Sequence, residues 1–183
     1  GMLETQGVNY VARLEFDFVL RDLLTSIRDN KDISLVKGIS YLKDDQIMHN
    51  PDLYANTVHE LNQVVMGNNF SPIVASRNYA YAAIAGYEVT AAGNPSQYAS
   101  LSGQLHGLDS LPVPSNKEQI DFPYASLLAY CAVGEAVTFP EGSMKEYVDS
   151  LKVLAKDHGM SSDMIKASET FAKQISTRII AWS

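Results

Sequence analysis

The 183-residue chain is 46% hydrophobic and 19% charged, the balance of a globular domain large enough to bury a core and not of a disordered segment. Its net charge of −7 and pI near 5.0 argue against a nucleic-acid binder, which needs a basic footprint on the phosphate backbone. A single cysteine, Cys131, excludes an intrachain disulfide and a Cys-based zinc site.

Residues 2–9 are polar, and Met2 is followed by Glu4 and not by the apolar core of a signal peptide. Gly1 ahead of Met2 has the look of a cloning remnant, so the start carries no weight about targeting. Residues 10–28 are ambiguous. Tyr10, Ala12, Leu14, Phe16 and Phe18 alternate as in a strand, whereas Phe16, Leu20, Leu23, Leu24 and Ile27 keep helical spacing. The helical pattern reaches further and predicts a helix from about Leu14 to Arg28. Residues 33–48 are weakly patterned and read as irregular or as a short helix.

From residue 50 the punctuation is regular. Asn50-Pro51-Asp52 supplies an N-cap, a proline at the first helical position and an acid in the first turn. The helix it opens runs to about Met66 and stops at Gly67. Ser71-Pro72 repeats the start signal for a helix to about Ala92, ended by Gly93. Asn94-Pro95 repeats it again and predicts a helix through Tyr98, Leu101 and Leu105, with Gly103 inside it and Gly107 near its end. Leu111-Pro112-Val113-Pro114-Ser115 is an extended connector, because each proline restricts itself and its predecessor.

Asp121 to Tyr124 opens a helix rich in Ala, Leu and Tyr to about Val137, with Cys131 in an apolar run where it packs as a small hydrophobe. Residues 139–143 form a turn, and Ser143 stands three residues before Glu146, a capping-box spacing. The next helix reaches about His158, burying Tyr147, Val148, Leu151, Val153 and Leu154, and Gly159 ends it. Ser161 or Ser162 caps a last helix whose Met164, Ile165, Ser168, Phe171, Ile175, Ile179 and Trp182 share one stripe. The lysines 145, 152, 156, 166 and 173 alternate with acids and read as a solvated helix face. No stretch approaches the length of a transmembrane helix. The whole reads as all-α, a single domain of six to seven helices over residues 49–183 behind an extension of residues 1–48 with one helix.

Chemistry-bearing motifs are sparse. His49, His59, His106 and His158 are scattered, and His59-Glu60 lacks the second histidine of a zinc-protease helix. Ser102-Gly103-Gln104-Leu105-His106 lacks the Gly-x-Ser-x-Gly elbow, and no phosphate-cradling glycine loop occurs. Arg77, Tyr81 and Glu88, spaced by 4 and 7, fall on one stripe of a helix rich in Ala and Tyr. They form either a polar cluster supporting an anion site or, the favoured reading, a structural network, since a buried charge needs partners whatever its function. No residue is assigned a catalytic, cofactor-binding or metal-binding role. Trp182, in the apolar end Ile179-Ile180-Ala181-Trp182-Ser183, is a candidate interface residue. That end is still in helical phase, which suits equally a docked terminal helix and a natural chain that continues.

Several strings in order carry a family resemblance: Asn50-Pro51-Asp52, Phe70-Ser71-Pro72-Ile73-Val74-Ala75-Ser76-Arg77, Ala85-Gly86-Tyr87-Glu88, Ser100 to Leu108, Leu111-Pro112 and Ile179 to Ser183. Together they resemble the N-terminal helical portion of bacterial vanadium-dependent haloperoxidases and PAP2-type phosphatases. The resemblance implies a helical bundle, an extracytoplasmic or periplasmic setting, and vanadate or phosphate as the group bound by the full-length family. In that family a Lys and Arg-Pro, a Ser-Gly-His and an Arg followed by a His form the site. Here Ser102-Gly103 is followed by Gln104, and none of these motifs can be placed. The resemblance therefore implies a scaffold fragment that is inactive alone, with no cofactor of its own. Its partner would be the catalytic C-terminal helical half, or a second copy in a homo-oligomer. Two other readings stand beside it: a stand-alone, non-enzymatic all-α interaction module, and a metal or small-molecule enzyme built from nonlocal His, Asp and Glu.

Overall fold

The computed structural model describes the backbone of residues 10–12, 39–43 and 46–49, and residues 52–183. It divides into two compact units, Gly1–Val58 and His59–Ser183. In the first, β1 (Tyr10–Ala12), β2 (Ile39–Lys43) and β3 (Gln46–His49) form an antiparallel sheet in the order β1-β2-β3. Tyr10 is opposite Tyr41, and Tyr41 is opposite Met48. Lys43 pairs with Gln46, so only two residues join β2 to β3, the shortest common hairpin connection.

Five α-helices follow among the described residues: α1 (Asp52–Gly67), which runs across the unit boundary, α2 (Pro72–Gly93), α3 (Phe122–Ala136), α4 (Lys145–Asp157) and α5 (Ser162–Trp182). Their starts are chemically explicit. Ser71 is extended at φ −61° and ψ 151°, and Pro72 takes the first helical position, where a missing N–H costs nothing. The Asp121 carboxylate accepts the Tyr124 N–H at 2.8 Å, and Ser161 Oγ accepts the Met164 N–H at 3.2 Å.

Helix α3 is the axis of the domain. Every residue from Tyr124 to Cys131 is buried, with Val133 and Gly134 beyond them. A helix apolar all round must be covered all round. α2 and α5 provide the largest contacts, and α4 a smaller one. From α5, Ile165, Phe171, Ile175 and Ile179 are each at most 3% exposed, and Phe171 meets Phe122 edge-on at 5.9 Å. Leu61 of α1 closes another side over Gly134. A Cβ on that glycine would lie 2.7 Å from Leu61 Cδ1, so the missing side chain is what lets the helices approach.

Polar contacts close the C-terminal end of α3. Asn78 donates to the Val137 carbonyl at 2.9 Å. The Asn68 amide donates to the Phe139 carbonyl at 2.5 Å and accepts the Phe139 N–H at 2.7 Å. Thr138 Oγ1 donates to the Gly134 carbonyl at 2.9 Å. Carbonyls without intrahelical partners thereby gain donors.

The all-α expectation holds for the helical domain, with five helices among the described residues where six to seven were expected. Three local expectations are corrected. Residues 39–43 and 46–49 are strands, not irregular or helical, because the Ile-Ser-Tyr-Leu and Gln-Ile-Met segments find cross-strand partners that no local pattern reveals. No helix follows Asn94-Pro95. Residues 94–116 form turns and coil in which Gly103 (φ +76°) and Gly107 (φ +80°) take the left-handed conformation that stops a helix. The capping box at Ser143 does not form. Met144 precedes the first helical residue, and the buried Ser143 Oγ has no hydrogen-bond partner. Within α4, Leu151 and Ala155 are buried but Val153 is 57% exposed. The helix expected over Leu14–Arg28 lies outside the described residues.

Leu61→Ala is expected to cost about 2–5 kcal/mol, the range for truncating a fully buried leucine, read from denaturant unfolding. A pH effect centres on Asp121. Burial raises its carboxyl pKa above the ordinary 3.8, opposed in part by the Tyr124 N–H. The folded state thus holds this proton more readily than the unfolded chain. The stability this contributes is fully present below 3.8 and is lost as pH rises through the raised native value. Asp121→Asn keeps the capping oxygen without the charge. Its melting temperature is expected to exceed that of the parent at pH 7, with the gap closing towards pH 3.

Candidate functional site

The stripe of Arg77, Tyr81 and Glu88 on α2 splits into two sites. Arg77 Nη2 donates to Tyr81 Oη at 2.7 Å, and its guanidinium carbon sits 5.6 Å from the centre of the Tyr81 ring. That hydrogen bond, followed by the Coulombic effect of Tyr81, raises the Arg77 pKa further and keeps it cationic. Tyr81 in turn meets Trp182 edge-on, with centroids 5.6 Å apart at 86°. Trp182 Nε1 donates to the His106 carbonyl at 2.9 Å, and the indole lies over Gly107, where a Cβ would come within 3.6 Å. Half-buried Trp182 therefore ties the end of α5 to α2 and to the loop before α3.

Glu88 does not meet Arg77. It is 2% exposed and accepts two hydrogen bonds, from Ser100 Oγ at 2.7 Å and from the Leu101 N–H at 2.6 Å. A buried carboxylate satisfied by a hydroxyl and an amide acts as a structural pin. Around it, Tyr87 Oη donates to the Ala99 carbonyl at 2.7 Å, and Gly103 N–H donates to the Leu108 carbonyl at 2.7 Å. Leu108, fully buried, plugs the loop into the domain.

The remaining candidates do not converge. His59 Nε2 is 3.1 Å from Gln63 Nε2 on the same helix, and His158 ends α4. Among the described residues no group of three His, Cys, Asp or Glu side chains could hold a metal ion. Burial, with a smaller contribution from Glu135, pushes the Cys131 thiol up to about 12, so no thiolate nucleophile is available there. Burial, then Glu169 and Asp121, pushes Tyr124 up to about 12, and its hydroxyl is buried without a hydrogen-bond partner. Among the described residues no helix is long and apolar enough to cross a membrane.

Asn68 and Asn78 were not singled out from the sequence, although their amides secure the Val137–Phe139 corner. Asn68 follows the Gly67 stop and Asn78 sits inside a helix, so only the distant partner reveals either role.

Among solved structures, the chain is similar to a bacterial vanadium-dependent iodoperoxidase, with 30% sequence identity and a TM-score of 0.66. The fold of this chain is haloperoxidase-like. The similarity covers 72% of this chain and 32% of the iodoperoxidase, so the chain spans about a third of the length of that protein. No family model and no curated protein matches this chain. Arg178 Nε donates to the Ser110 carbonyl at 3.2 Å.

Glu88→Ala removes the acceptor of both loop bonds. It is expected to destabilise the domain by about 1.5–3 kcal/mol, the range for a hydrogen bond to a charged group. The Leu101 amide should lose its protection in hydrogen exchange while amides of α3 keep theirs.

Proposed function

We propose that this chain is a scaffold portion of a vanadium haloperoxidase-like or PAP2-like protein, carrying helices against which the oxyanion-handling part packs. The observation that carries this reading is the 30% identity to a vanadium-dependent iodoperoxidase over 72% of this chain but only 32% of that protein. The state of the polar side chains supports it. Glu88 is buried and spent on a loop, and Arg178 donates to a loop carbonyl, which is how structural polar groups are used. Residues that handle an oxyanion would instead converge on one open point. On this reading vanadate or phosphate is bound by residues outside this chain, and the 183 residues contribute position and shape.

The test compares the purified 183-residue chain with the natural gene product. The short chain is expected to oxidise no iodide with hydrogen peroxide and vanadate, to hydrolyse no aryl phosphate, and to retain no vanadate in equilibrium dialysis. The natural product, with its additional residues, is expected to bind vanadate or phosphate at one equivalent. Stoichiometric vanadate binding by the 183-residue chain would refute the scaffold reading. A natural product that ends at Ser183 would leave a stand-alone interaction module.

A further inference from the structure

The exposed positions of α2 and α4 differ in charge. α2 and α4 each have seven exposed positions. On α4 five of them are charged, namely Lys145, Glu146, Asp149, Lys156 and Asp157. On α2 only Arg77 is charged, and the others are Pro72, Ile73, Val74, Ser76, Ala80 and Ala83. Ile73 is 76% exposed and Val74 42%. At 100° per residue Ile73, Arg77, Ala80 and Ala83 fall on one side of α2, opposite the buried Asn78, Ala82, Ala85 and Val89 that face the core. Over its first three turns this side of α2 is exposed and carries one charge, with Ile73, Ser76, Arg77, Ala80 and Ala83 on it, whereas farther along the same side bears half-buried Tyr87 and buried Ala91. Small side chains at Ala80 and Ala83 leave a shallow seat where a second helix could approach closely. Ile73 stands at one end of this side. Arg77 uses one N–H on Tyr81 and points to the exposed side.

We infer that this outward face of α2 is the docking surface for a helix from the remainder of the haloperoxidase-like protein. That helix would present an aliphatic stripe to Ala80 and Ala83, with a carboxylate or carbonyl oxygen opposite Arg77. The inference rests on the scaffold reading given above. What points to this occupant is that the similar iodoperoxidase has about two thirds of its length outside the shared part, so the fold has further chain available to cover an apolar face. The charged exposed face of α4 lacks this character and is a natural water-facing surface.

The test uses introduced thiols, which read out cleanly because Cys131 is fully buried and is the chain's one cysteine. Ala80→Cys places a thiol on the α2 face, and Val153→Cys places one on exposed α4 as a control. Both variants are made in the 183-residue chain and in the natural gene product, and maleimide modification is timed. In the short chain both thiols are expected to react fast. In the natural product Ala80→Cys should react slower by on the order of tenfold or more, while Val153→Cys keeps its rate. Fast reaction of Ala80→Cys in a natural product that binds vanadate or phosphate would overturn the docking face and leave the scaffold reading intact. A natural product no longer than this chain would remove the scaffold reading and the docking face together. Protection of Ala80→Cys in the short chain, with a dimer mass by light scattering, would assign the face to a second copy and also overturn the proposal.

Discussion

The helical domain is organised by the need to cover α3. Over the eight consecutive buried residues from Tyr124 to Cys131 the helix has no solvent side, so its stability depends there on neighbours in every direction. α2, α5 and Leu61 of α1 meet that need by shape, and α4 covers less. Two of these approaches depend on an absent side chain, since a methyl group at Gly134 would collide with the Leu61 isobutyl group and one at Gly93 with the Phe122 ring. Polar chemistry finishes what packing leaves. Asn68, Asn78 and Thr138 satisfy backbone groups where α3 ends, and Ser168 accepts the Asp121 N–H where it begins.

The same logic accounts for the long connection between α2 and α3. A segment without regular structure can lie against a core only if its polar groups are satisfied. Glu88 supplies two acceptor interactions, Tyr87 one donor, and Trp182 reaches across from α5 to a third point. Leu108 then contributes apolar burial. Glu88, one of the polar residues that look most like chemistry in the sequence, is therefore consumed in holding a loop.

The haloperoxidase-like fold and the short span of the match give this economy a context. The chain matches a vanadium-dependent iodoperoxidase over most of its own length but about a third of that protein's. The exposed positions of α2 lie between Pro72 and Ala83 and carry a single charge, Arg77.

The sequence by itself determined the helix starts that depend on local chemistry: Ser71-Pro72, the Asp121 cap and Ser161. Each is a contact between residues no more than four apart, so its signal is fully written in a short string. It also determined the all-α class and the stripe on α5, because periodicity is a local property. Tertiary structure decided the rest. The strands at 39–43 and 46–49 exist because they pair with each other and with residues 10–12, and the loop at 94–116 stays open because Glu88 and Trp182 claim it. Ser143 shows the converse, a correct capping spacing left unused because the chain enters α4 through a turn at Met144. Arg77 and Glu88 share a stripe in sequence yet serve different partners, 4 and 12–13 residues away, because a side chain's role is set by what folds against it.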